Sequence, residues 1–237
     1  METIGKSEIE KLTDSQILDF EKQLQLDSDK ILEHFNLMRL LSRYGTPHIK
    51  GGKEMGVMWA KDIDIKVIAK DLSIDRWIQL CSELLKIKGV RKIFPINYRD
   101  YDREVNWLSE GNKGFGYLVS INNLNVPDVS DSRMWNIEMS LVEDDGVFGQ
   151  SEEGRRATKD WKEKLTETSR VTIIRLKMFI AEASKKLKEM GFNKIDSLLV
   201  YDAVFNNNVS SIDDFIKYYE TKEQNQQKVY TFLKLMK

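Results

Sequence analysis

Several things are scarce in this chain. Of its 237 residues one is cysteine, three are proline and two are histidine. A lone thiol, Cys81, closes no internal disulfide, which suits a reducing compartment. Its surroundings, DRWIQLCSELLKI, read as an amphipathic helix in which the thiol is a small buried group. No window approaches the ~18 apolar residues of a membrane span, and the opening METIGKSEIEKLTD has no apolar targeting core. A soluble, cytoplasmic protein is expected, with no membrane partner. Charge of one sign is also missing, since 37 Lys and Arg face 38 Asp and Glu. That balance argues against a dedicated nucleic-acid binder, which usually carries a basic excess. It is uneven along the chain: residues 148–237 hold 17 basic against 13 acidic residues, and the remainder 20 against 25. His34 stands alone in a helical run and His48 at a strand end, so neither reads as a ligand.

What is present is a change of periodicity. Up to residue 44 the pattern is helical. SEIEKL and TDSQILDF open with hydroxyl residues followed three positions later by Glu or Gln, as capping boxes do. Leu24, Ile31, Leu32, Phe35, Leu37, Met38 and Leu41 make one apolar stripe, which Gly45 and Pro47 end. From residue 45 to 147 short strand candidates appear: HIK, DIDIKVI, VRKIFPINY, FGYLVSIN and WNIEMSLV, with SIDRWIQLCSELLKI as a capped helix. Pro95 predicts an edge or bulged strand. The loop NLNVPDVSDSR predicts an antiparallel pair for the last two strands. A polar stretch, EDDGVFGQSEEGRR, is the linker candidate, and residues 148–237 are helical again. The expected fold is α/β (α+β): an N-terminal helical extension, a small mixed sheet, and a C-terminal helical bundle.

Within the strand DIDIKVI, Asp62 and Asp64 alternate with Ile63, Ile65 and Val67. Side chains two apart share a face, ~7 Å apart along the chain, so the two carboxylates form a pair opposite a packing face. Two anions this close repel, and burial adds to the penalty. A divalent cation removes the conflict; Mg²⁺ takes oxygen ligands, commonly one or two carboxylates plus phosphate oxygens of a substrate. Nine residues upstream, Gly51 and Gly52 open a short helix. Bare amides there can approach an anion closely, and Lys53 in the first turn adds a full charge. The pattern suggests a phosphate cradle beside a metal-binding acid pair.

The arrangement GG-x9-DID resembles the signature of the nucleotidyltransferase superfamily, the polymerase-β-like fold. Its members carry a third acid on a neighbouring strand, and MWNIEMSL offers Glu138, reached by antiparallel pairing. GVMWAKDIDI, TETSR at 166–170 and YDAV at 201–204 resemble a bacterial nucleotidyltransferase-like subgroup, distantly similar to lincosamide nucleotidyltransferases. The resemblance implies transfer of a nucleoside monophosphate from a nucleoside triphosphate such as ATP to a hydroxyl of an unidentified small or macromolecular acceptor, with one or two Mg²⁺. Asp62, Asp64 and Glu138 are then the catalytic and metal-binding acids. Gly51, Gly52 and Lys53 are the phosphate-binding residues. Arg170 and Lys177, seven apart on one helix, are further nucleotide contacts. Many members carry Ser where Gly52 stands, and Asp where Glu138 stands. The alternative is an inactive nucleotide-binding or regulatory module of the same fold.

Overall fold

The computed structural model describes residues 6–69, 71–98, 116–143, 152–191, 195–222 and Leu233. Its helices are α1 Lys6–Lys11, α2 Asp14–His34, α3 Leu37–Leu41, α4 Gly51–Met55, α5 Ile74–Lys86, α6 Glu152–Lys164, α7 Glu167–Glu189, α8 Leu198–Asn207 and α9 Ile212–Lys222. Its strands are β1 Thr46–Lys50, β2 Asp62–Ile68, β3 Lys92–Asn97, β4 Gly116–Asn122 and β5 Asn136–Val142. Two compact units divide the chain: Gln23–Thr158, and Met1–Lys22 with Lys159–Lys237. Among the described residues no helix is long and apolar enough to cross a membrane.

In the first unit the five strands form one mixed sheet in the order β1-β2-β5-β4-β3. Alternation explains how β2 is laid down. Ile63, Ile65 and Val67 are at most 2% exposed, and they join Ile121, Ile137, Met139 and Leu141 in a core. Burying each such side chain contributes about 1.5–3 kcal/mol. Helix α5 covers the same core with Trp77, Leu80 and Leu84, and the Trp77 ring stacks on Tyr117 at 4.8 Å. Ser73 starts α5 by accepting the Arg76 amide hydrogen at 3.3 Å. Pro95 lies in β3, the outermost strand beside β4, as its lack of an N–H requires.

One expectation is corrected. β5 pairs with β2 parallel, not antiparallel. Between them along the chain stand β3 and β4, and β4 is antiparallel to both β3 and β5. Two reversals return β5 to the direction of β2.

The second unit is helical. Thr166 and Ser169 close a reciprocal capping box that starts α7, whose apolar face buries Val171, Ile173, Ile174, Leu176, Phe179 and Ile180. Arg175 ties α7 to the N-terminal segment, donating to Leu12 O at 2.5 Å and pairing with Asp14 at 2.9 Å. Lys6 reaches Asp213 of α9 at 2.6 Å.

Candidate active site

The carboxylates are grouped by strand register. In the parallel β2–β5 ladder Asp62 faces Asn136, Asp64 faces Glu138 and Lys66 faces Ser140. Partners in a ladder present side chains to the same face, so all three acids lie on the sheet face opposite the core. Across β4 the rows continue to Asn122 beside Asn136 and Ser120 beside Glu138. This polar patch belongs to the N-terminal ends of β2 and β5. Farther along the same face the character turns apolar, with Tyr98, Leu118 and Val142 in a small cluster against Ile68 and Ile96. Asp62 is exposed, and Asp64 and Glu138 are half-buried.

Two side chains on this face were missed by sequence reasoning. Lys66 is 3% exposed, with Ser140 and His48 as its cross-strand neighbours. Lysine is almost never this buried unless it is paired. The signal was available, because Lys66 shares the parity of Asp62 and Asp64. Asn136 is the other: its Nδ2 donates to Asp62 Oδ1 at 2.8 Å. No local pattern announces it.

The two glycines lie where the strand pair needs them. Gly51 has φ +65°, and a Cβ there would stand 2.1 Å from Asp64 Oδ2. The backbone entering α4 therefore lies directly against the second carboxylate, and the positive φ there favours glycine. A Cβ on Gly52 would stand 3.3 Å from Val57 O, and the Gly52 carbonyl accepts the Val57 amide hydrogen at 2.9 Å. Lys53 behaves differently from its neighbours. Its ammonium is bound by Asp29 at 2.6 Å, Ser28 Oγ at 2.7 Å and Gln25 Oε1 at 3.4 Å, all on α2. Its side chain is 9% exposed. The charge expected at a phosphate is thus bound by α2, and these contacts tie α4 to it.

Arg170 and Lys177 both lie on α7, in the helical unit. Lys177 is 6% exposed, donates to Tyr201 Oη at 2.8 Å and has its ammonium 4.8 Å from the centre of that ring. Trp161 stacks on the same ring at 5.3 Å. Nε of Arg170 is buried with no hydrogen-bond partner among the described residues. Asp202 serves the packing of its own unit, accepting from Tyr218 Oη at 2.5 Å, from Asn206 at 2.8 Å and pairing with Lys222 at 3.3 Å. Burial acts to raise its pKa, but these bonds outweigh burial and hold the carboxyl below its ordinary 3.8.

As a donor set the acids suit a hard cation: three carboxylates on one face, with Asp64 and Glu138 in direct register. Among the described residues no three His, Cys, Asp or Glu side chains stand together as a metal-holding group. What groups the three acids is strand register: Asp64 stands opposite Glu138, with Asp62 two residues away on the same face.

No protein-family model and no curated protein matches the chain. Among solved structures it is similar to Cid1, described by its RNA terminal uridylyl transferase activity, with a TM-score of 0.51 and 11% identity over 82% of this chain and 53% of that one. It is also similar to a cytoplasmic RNA terminal U-transferase, with a TM-score of 0.50 and 11% identity over 82% of this chain and 55% of that one. The chain thus spans about half the length of these neighbours. At such identity the likeness is one of fold alone, a mixed α+β arrangement shared with these two structures.

Proposed function

We infer that the protein is a nucleotidyltransferase that moves a nucleoside monophosphate from a nucleoside triphosphate to a hydroxyl acceptor and releases pyrophosphate. The observation that carries this reading is the in-register pairing of Asp64 with Glu138, with Asp62 on the same face and the Gly51 backbone against Asp64. Asp62, Asp64 and Glu138 would hold Mg²⁺, which when bound offsets the charge of the triphosphate. The amides of Gly51 and Gly52 would hold the β- and γ-phosphates, fixing the α-phosphorus for in-line attack. Glu138 would accept the proton of the attacking hydroxyl as the bond to pyrophosphate breaks.

The neighbours' named activities make an RNA 3′-hydroxyl the first acceptor to test, although the near-neutral charge does not favour RNA. The test is a transfer assay with each nucleoside triphosphate, Mg²⁺ and either oligoribonucleotide or small hydroxyl acceptors. Wild-type protein is expected to release pyrophosphate, and Asp64→Asn to lose at least about 10³-fold. Transfer retained in Asp64→Asn overturns the assignment.

The neutralised Lys53 and the missing hydroxyl at Gly52 favour a second reading, a module that binds nucleotide without turning it over. Calorimetry separates the two: Mg²⁺-dependent triphosphate binding with no pyrophosphate released over hours selects the module.

A further inference from the structure

The first carboxylate is held by a chain of amides that runs across three strands. Asn122 Nδ2 donates to Asn136 Oδ1 at 2.5 Å, and Asn136 Nδ2 donates to Asp62 Oδ1 at 2.8 Å. The three residues occupy one row of the sheet, in register through both ladders. Their polarity follows from chemistry. An ionised carboxylate only accepts, so Asn136 must turn its NH₂ to Asp62. Its carbonyl oxygen then faces Asn122, which must donate in turn. That leaves Asn122 Oδ1 at the end of the row, and it is buried with no hydrogen-bond partner among the described residues. A pair of asparagines present only to bridge strands would have no reason to strand a buried acceptor. An anion at the other end supplies that reason.

The geometry points to Asn136, backed by Asn122, as a positioning device for Asp62. The choice of amides matters. A lysine or arginine at position 136 would orient the carboxylate but also neutralise it, competing with any cation. A neutral amide fixes one oxygen without itself adding a positive charge beside it. The inference rests on the reading of Asp62, Asp64 and Glu138 as cation ligands.

The test uses the full chain and Mn²⁺, a paramagnetic probe for Mg²⁺ sites, with free Mn²⁺ counted by electron paramagnetic resonance and melting temperature recorded alongside. Asn136→Ala is expected to weaken Mn²⁺ binding by about tenfold, the lower bound for a residue that orients a ligand. Asn122→Ala, acting through Asn136, is expected to weaken it by about threefold. Because both act on one oxygen, the double variant should stay within about twofold of Asn136→Ala alone. An affinity unchanged in Asn136→Ala, or a double variant that loses the product of the single effects, overturns the relay. If Asn136→Ala does not fold, Asn122→Ala decides on the same threefold expectation, an unchanged affinity overturning the relay. Asp64→Asn tells the two levels apart. If it leaves Mn²⁺ affinity intact, the carboxylate reading falls; if it abolishes binding while Asn136→Ala does nothing, only the relay falls.

Discussion

The two faces of β2 are written in the same seven residues and do opposite work. On one, Ile63, Ile65 and Val67 are sealed into a core. On the other, Asp62, Asp64 and Lys66 put three charges within a single strand, one of them buried. The apolar face anchors the strand in the core, and the polar face carries its charges on the opposite side. Stability and chemistry are therefore separable by residue parity, and mutations should sort the same way.

The largest separation is expected between Trp135 and Asp64. Trp135 is 1% exposed in the core, and Trp135→Ala should cost about 3–5 kcal/mol of unfolding free energy, read by denaturant titration. Asp64→Asn should change stability far less while abolishing transfer. A core variant that spares stability, or an Asp64 variant that unfolds the protein, breaks the comparison. Gly51→Ala comes next and joins the two effects. It forces a side chain into φ +65° and onto the Asp64 carboxylate, so a stability cost of about 1–2 kcal/mol should accompany a loss of transfer of at least about 10²-fold.

Lys53→Met sharpens the assignment of α4. It removes the contacts to Asp29, Ser28 and Gln25, so the melting temperature should fall by the equivalent of about 1 kcal/mol while KM for the triphosphate stays within about twofold. A tenfold rise in KM would return Lys53 to the phosphates. The smallest effect lies in the helical unit. The Asp202 carboxyl is held below 3.8 in the fold, so its contribution is complete above that pH and is lost as pH falls through the depressed value. Acid titration of wild type against Asp202→Asn should show the two stability curves converging below pH 3.8, with Asp202 contributing less than about 1 kcal/mol.

How much of this was legible follows from the range of the cause. The alternation of DIDIKVI, the capped helix after Ser73 and the edge position of Pro95 depend on neighbours within a few residues, and a linear reading reaches them. The acids and the glycine pair were visible for the same reason. The direction of β5 was not, because it depends on two intervening strands that reverse the chain. Lys53 and Lys177 read as available charges because an amphipathic helix shows only its own residues. Their partners come from 24 positions away in each case. Asn122 and Asn136 are ordinary polar strand residues until the sheet sets them side by side with Asp62.

Pro95 carries one more consequence. The Tyr98 amide hydrogen is donated inward to Gly116 O, and alternation along β3 then turns the position of the proline nitrogen outward, away from β4. A strand added at this margin would meet a tertiary amide with no N–H where a donor is required. The outer margin of β3 is thus one backbone donor short, the kind of feature that disfavours pairing with a further strand.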